Sequence, residues 1–174
     1  MTHYVRKLPL PHIPAQDLLD REFDRLAKTV ASFEAVVLHR DFQSQNIMVH
    51  AGGPRIIDYQ GARMAPPAYD IASVLWDPYH RLDDGVRERL LAYYVDEMKA
   101  DRAGAFDERA FGESLVACRL QRHMQALGAY GFLSEVKGKQ YFLKHVPEAL
   151  RLLREDIAGA GQEYPALARL IAAL

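Results

Sequence analysis

The residues of this chain best equipped for chemistry are the run His39-Arg40-Asp41-Phe42-Gln43-Ser44-Gln45-Asn46 and, twelve residues beyond Asn46, Asp58 in Ile56-Ile57-Asp58-Tyr59-Gln60-Gly61. A carboxylate, an amide five residues on, and a second carboxylate past a short turn supply a base and a pair of oxygen donors. Magnesium takes oxygen ligands, usually one or two carboxylates with phosphate oxygens and waters, so Asn46 and Asp58 suit that cation. Asp41 would accept the proton of an attacking hydroxyl or orient that hydroxyl. The same five-residue interval separates base and metal-binding asparagine in kinase catalytic loops, so the chemistry indicated is phosphoryl transfer. The first glycine of the sequence is Gly52, so no glycine-rich phosphate loop precedes the motif. The chain reads as the catalytic half of a kinase without its nucleotide-clamping half.

The elements around these residues must bring them together. Ala35-Val36-Val37-Leu38 is a short apolar run, read as a buried strand delivering the chain to His39. Residues 46–50 and 55–58 flank Ala51-Gly52-Gly53-Pro54, the strongest hairpin signal in the chain. A three-residue loop at Ala51-Gly52-Gly53 would pair His50 with Pro54 and set Asn46 directly opposite Asp58. Their Cβ atoms would then lie about 4.5–5.5 Å apart, close enough to share one ion.

The remainder is expected to be helical. Leu19, Phe23, Leu26, Val30 and Phe33 recur at steps of four and three, predicting a helix from Asp17. Tyr69 to Trp76 forms a short helix stopped by Pro78. Asp83 caps a helix to about Ala100, with Val86, Leu90, Tyr94 and Met98 on one face. Asp107 caps another, reaching about Leu127 before Gly128. Phe142, Val146, Leu150, Leu153 and Ile157 keep helical spacing, with Pro147 breaking or starting a helix. Pro165 opens a last helix ending near Leu174. Residues 1–16, with Pro9, Pro11 and Pro14, read as an extended arm or linker, and 17–174 as one domain. The fold class expected is α+β and mostly α-helical, with a small β-hairpin at the site.

Composition is that of a soluble globular domain: 174 residues, 49% hydrophobic, 26% charged, formal net charge −1. That balance gives no global basic field for nucleic acid and no acidic tail. No signal-peptide run and no apolar stretch long enough for a membrane span is present. The single Cys118 excludes an internal disulfide framework and fits a reducing compartment, so a cytoplasmic location is expected. Cys118 itself lies among apolar helical positions and reads as inert core.

His39 to Asn46, with Asp58 and Asp70 in Tyr69-Asp70-Ile71-Ala72, resembles the aminoglycoside phosphotransferase and choline kinase-like family, relatives of the protein kinases. The resemblance runs from about residue 18 to the C-terminus. It implies a protein-kinase-like C-terminal lobe, with the β-rich N-terminal lobe absent from this sequence. It implies Asp41 as catalytic base, Asn46 and Asp58 as magnesium ligands, and ATP as phosphoryl donor. Asp70 matches a position whose carboxylate is mainly architectural. Asp41-Phe42-Gln43, Asp58-Tyr59-Gln60-Gly61-Ala62-Arg63 and Arg119-Leu120-Gln121-Arg122 through Ala126-Leu127-Gly128 look more particularly like bacterial sugar kinases of cell-wall recycling. Those enzymes phosphorylate the anomeric hydroxyl of N-acetylmuramate or N-acetylglucosamine.

Other residues divide between chemical and plain roles. His39 reads as structural support, hydrogen bonding backbone near Asp58. Arg40 either pairs with a carboxylate such as Asp70 or is solvated. Gln43, Gln60 and Arg63 are candidates for substrate contact. Trp76 reads as core or an interlobe contact, with sugar stacking as the alternative. Arg119, Arg122, His123, Lys137 and Lys139 read as a solvated helix face rather than a nucleic-acid site. The acceptor implied is a small hydroxyl compound, an amino sugar first and an aminoglycoside second. The alternative reading is a non-catalytic binding or scaffold module descended from such a kinase. A face left without its upper lobe would expose apolar surface and favour either a separate lobe or self-association.

Overall fold

The computed structural model describes residues 13–102 and 104–174, so the arm expected over 1–16 falls outside the described residues up to residue 12. The chain is α+β and mostly helical, and divides into two compact units, residues 30–118 and the remainder.

The unit over 30–118 holds the four strands found among the described residues. Strand β1 (Val36–Leu38) pairs antiparallel with β4 (Arg63–Ala65), Val36 facing Ala65 and Leu38 facing Arg63. Strand β4 gives no sequence signal because three residues show no periodicity and its partner lies far upstream. Its strand character comes from that pairing rather than from propensity. Strands β2 (Ile47–His50) and β3 (Gly53–Ile56) form the expected hairpin, but in a different register. His50 faces Gly53 and Ile47 faces Ile56, one residue off the pairing expected from a three-residue loop. Gly53 adopts φ +104, a conformation closed to most residues, so the returning strand starts there instead of at Pro54. Ile57 rather than Asp58 therefore sits across from Asn46, its N–H donating to the Asn46 carbonyl at 3.0 Å.

Three helices complete this unit. Helix α2 (Ala68–Leu75) buries Ala68, Ile71, Ala72, Ser73 and Leu75, and the following Trp76 is buried as well. The Trp76 indole is core at 6% exposure, with the Arg87 guanidinium 5.1 Å from its ring centre. Helix α3 (Asp84–Asp101) starts where Asp83 Oδ1 accepts from the Gly85 and Val86 amides, an N-cap readable from sequence. Its inward side differs from the expected one: Val95 is buried while Leu90 is exposed. The Asp107 carboxylate accepts from the Ala110 amide at 2.9 Å and starts helix α4 (Glu108–Glu135). Cys118 is fully buried on α4, and burial pushes its thiol up to about 12, which leaves it unreactive.

The second unit is helical. It takes α1 (Gln16–Ala31) up to residue 29, the later part of α4, α5 (Val146–Ala160) and α6 (Pro165–Ala173). Leu19, Leu26, Leu127, Leu153 and Leu167 form its core. Helix α4 runs past Gly128 to Glu135, longer than expected. A helical glycine costs about 1 kcal/mol, and the buried Leu127 and Tyr130 on either side of Gly128 outweigh it. Pro147 occupies the first turn of α5, where a missing N–H costs nothing, and Phe142 falls in a preceding 3-10 segment, Gln140–His145. Arg122 and His123 are buried, which corrects the reading of this stretch as a solvated face. Asp156 of α5 holds Arg119 and His123: Arg119 pairs with its Oδ1 at 2.6 Å and His123 Nδ1 contacts its Oδ2. Glu22 of α1 is also buried and accepts from the Ala166 and Leu167 amides at 2.9 and 2.8 Å, capping α6 from another helix. Among the described residues, no helix is long and apolar enough to cross a membrane.

Candidate active site

Strand β1 ends at Leu38, and the chain turns at once through a strained corner. Arg40 has φ +75 and Asp58 φ +71, the two non-glycine residues in left-handed backbone among those described. Such conformations cost on the order of 1–3 kcal/mol and persist where surrounding bonds enforce them. Asp70 of α2 supplies that enforcement at Arg40: its Oδ2 accepts from the His39 amide at 2.7 Å and its Oδ1 from the Arg40 amide at 2.9 Å. Asp70 thus takes the main chain of Arg40, not its guanidinium. Burial raises the Asp70 carboxyl above the ordinary aspartate range, against the opposing pull of those two amides. The His39 imidazole reaches the Ile57 carbonyl, 2.9 Å from Nε2. A carbonyl only accepts, so Nε2 carries the proton. That bond ties the loop to the residue preceding Asp58.

Beyond Asp41 the chain closes into a 3-10 turn, Ser44–Asn46. Asn46 is 8% exposed, and its Nδ2 donates to the Asp41 carbonyl at 2.8 Å. Its amide nitrogen is thereby committed to the loop, which leaves Oδ1 as the end that can face a cation. The Ser44 amide donates to Asp77 Oδ2 at 2.7 Å, and Asp77 Oδ1 accepts from the Tyr79 amide at 2.9 Å.

Asp58 is exposed, and Gln60 Nε2 donates to its Oδ1 at 2.6 Å. Gln60 therefore orients Asp58 here. The turn Tyr59–Gly61 brings Gly61 against the loop. A Cβ on Gly61 would stand 3.4 Å from Asp41 Oδ2 and 3.6 Å from Arg40 Nη1. The Asp41 carboxylate thus borders the turn that follows Asp58. Gln43 is half-buried, and its main chain closes the loop by accepting from the Asn46 amide at 2.9 Å. Arg63 is exposed on β4.

The donor set suits magnesium in kind: one amide oxygen and one carboxylate. Among the described residues, no cluster of three or more His, Cys, Asp or Glu makes an all-protein cage. Magnesium bound with phosphate oxygens and waters does not need one. A hollow of about 300 Å³ beside the loop is lined mainly by apolar side chains, including Val36, Leu38, Phe42 and Ile56, together with His39 and Asp70. Its lining does not include Asp41, Asn46 or Asp58, so a polar acceptor would meet Asp41 elsewhere.

Sequence reasoning missed Asp77 and Gly61. Asp77 carried a usable signal, since an aspartate ahead of Pro78 at a helix end favours a side-chain bond two residues on. Gly61 carried none, because its approach to Asp41 depends on the pairing of β1 with β4.

The strained loop thus sets the Asp41 carboxylate against the turn that follows Asp58 and holds the Asn46 amide on the Asp41 carbonyl. Residues 2–106 match the model of the phosphotransferase enzyme family, and the chain belongs to that family. Among curated proteins it is similar to the N-acetylmuramate/N-acetylglucosamine kinase of Neisseria meningitidis, 29% identical over 91% of this chain and 47% of the relative. It is also similar to kinases of the same name from Pseudomonas putida (29% identical, 80% of this chain, 41% of the relative) and Pseudomonas aeruginosa (28%, 87% and 45%). The chain spans less than half the length of these relatives.

Proposed function

We propose that this chain carries the catalytic lobe of an ATP-dependent kinase that phosphorylates a hydroxyl of an amino sugar. The observation that carries this reading is the Asp41–Asn46–Gly61 junction. Asn46 Nδ2 holds the Asp41 carbonyl at 2.8 Å, and the Asp41 carboxylate borders the turn that follows Asp58. Asp41 accepts or orients the proton of the attacking hydroxyl, a contribution of about 10²–10⁴-fold. Asn46 Oδ1 and the Asp58 carboxylate hold magnesium, which when bound neutralises charge on the transferring phosphate. His39 and Asp70 keep the loop in its strained shape, so that Asp41 needs no reorganisation when the acceptor arrives. Gln60 fixes the Asp58 carboxylate, while Gln43 and Arg63 stay candidates for sugar contact. The names of the relatives support an amino sugar over an aminoglycoside.

Nucleotide clamping belongs, in this reading, to a β-rich lobe that precedes a catalytic lobe spanning about 17–174. Exposed apolar side chains on the strands and their flanks support such a cover: Val37 is 76% exposed, Val49 89%, Tyr59 72% and Met64 63%. Exposed apolar side chains in such number suit an interaction surface. ATP and a phosphorylated sugar product suit a cytoplasmic location.

The test is magnesium-dependent ATP turnover by the whole protein with N-acetylglucosamine, N-acetylmuramate and an aminoglycoside, product being followed by phosphorus NMR. Phosphorylation of an amino sugar, abolished in Asp41→Ala, is expected. A fully folded whole protein that phosphorylates none of the three overturns the proposal.

A further inference from the structure

The loop from His39 to Asn46 is held at both ends by carboxylates seven residues apart. Asp70, in α2, takes the His39 and Arg40 amides at the loop entry. Asp77, just past the end of α2, takes the Ser44 amide where the 3-10 turn begins. Asp70 reaches the loop from within α2 and Asp77 from the turn that follows Trp76, where the helix has already ended. We propose that Asp77 is a positioning residue for Asn46, and that Asp70 and Asp77 form a two-point clamp by which α2 and the turn that follows it set the span between Asp41 and Asn46.

Three observations carry this. Asp77 is 2% exposed, yet its carboxylate serves main-chain amides on both sides: Oδ2 bonds Ser44 and Oδ1 bonds Tyr79. The Tyr79 bond closes a turn that fixes the carboxylate itself, so the Ser44 amide meets an oxygen already in place. The bar between the two carboxylates is packed: Ala72 and Ser73 are inaccessible, and Leu75 and Trp76 are buried. Rigid support of this kind is what holds a functional side chain within a fraction of an ångström. Ser44 is the first residue of the turn that ends at Asn46, and the Asn46 amide in turn bonds the Gln43 carbonyl. Release of Ser44 therefore loosens Asn46 first, while Asp41 stays held from the Asp70 end.

The role in catalysis rests on the kinase reading above; the positioning itself does not. The test compares Asp77→Asn and Asp77→Ser in the whole protein by amide hydrogen exchange and by kinetics. Exchange at Ser44, Asn46 and Ile57 is expected to speed up, with protection in α2 and the β1–β4 pair kept. The magnesium activation constant is expected to rise about 10–100-fold, the loss usual when support behind a metal ligand is removed. The acceptor KM is expected to stay near wild type. Asp70→Asn should lower kcat instead. Wild-type protection at Asn46 and Ile57 in both Asp77 variants overturns the proposal, as does a uniform loss of protection across the unit. If exchange changes as expected but no version of the protein turns over ATP, the kinase reading fails and the positioning stands.

Discussion

The side-chain amide of Asn46 donates to the main-chain carbonyl of Asp41 at 2.8 Å, so the two ends of the loop share one hydrogen bond. The bond fixes the Asn46 rotamer and decides which end of its amide faces outward. Asn46→Asp keeps the size of the side chain but replaces the donating nitrogen with a second oxygen, which then faces the Asp41 carbonyl. Because the site is buried, we expect a loss of about 1–3 kcal/mol, read as a lower urea midpoint with an unchanged denaturant slope. Asn46→Ala should lose less stability, since it leaves an unpaired carbonyl rather than a repulsive pair. Equal stability of Asn46→Asp and wild type would show that the bond does not hold the loop.

Gly61 and Asp41 give a graded steric prediction. A methyl at residue 61 would meet Asp41 Oδ2 at 3.4 Å, an ordinary contact, so Gly61→Ala should keep most activity. The branched side chain of Gly61→Val reaches further and displaces the carboxylate. Misplacement of a reacting group by about 1 Å costs on the order of 10²-fold in rate. The measurement is kcat/KM for the acceptor in both variants, with melting temperatures as a control. Identical kinetics in Gly61→Ala and Gly61→Val would remove Gly61 from the site.

The helical body was largely legible because its signals are local. Asp83 and Asp107 announce helix starts by side-chain bonds two or three residues away, and Pro165 announces the last one. The spacing of Asp41, Asn46 and Asp58 was equally visible. What could not be read depends on distant partners. Strand β4 exists because Arg63–Ala65 finds Val36–Leu38. The hairpin register turned on whether Gly53 would take a left-handed conformation, a choice its sequence neighbours leave open. Helix α4 passes Gly128 because buried Leu127 and Tyr130 reward continuation, and burial is a tertiary fact. Asp77 bonds Ser44 across 33 residues, beyond the range of any periodicity.

Glu22 offers a stability test remote from the site. Its two oxygens accept from Ala166 and Leu167, the N-terminal amides of α6, where Tyr164 provides no side-chain cap. A carboxylate there also meets the positive end of the helix dipole. Glu22→Ala strands two buried donors and should cost about 1–3 kcal/mol or more in urea unfolding. Glu22→Gln retains one oxygen acceptor and should lose less. Equal losses in the two variants would mean that Glu22 acts through its charge and paired oxygens, and that its volume and a single remaining acceptor contribute nothing.

Asp70 makes the pH dependence of stability specific in sign. Burial raises its folded carboxyl above the ordinary value, despite bonds from the His39 and Arg40 amides. Between the unfolded and the raised folded pKa the native state binds more protons than the unfolded chain. The contribution of this group to stability is thus fullest below the ordinary carboxylate range and declines as pH rises through the folded pKa. Asp70→Asn removes this titration while keeping one acceptor for the loop. Wild type should therefore gain on Asp70→Asn as pH is lowered from 7 toward 4, measured as the difference in urea midpoint at each pH. Other carboxylates titrate in both proteins and cancel in that difference. A difference that is flat across this window, or that grows as pH rises, would show that the amide bonds outweigh burial at Asp70.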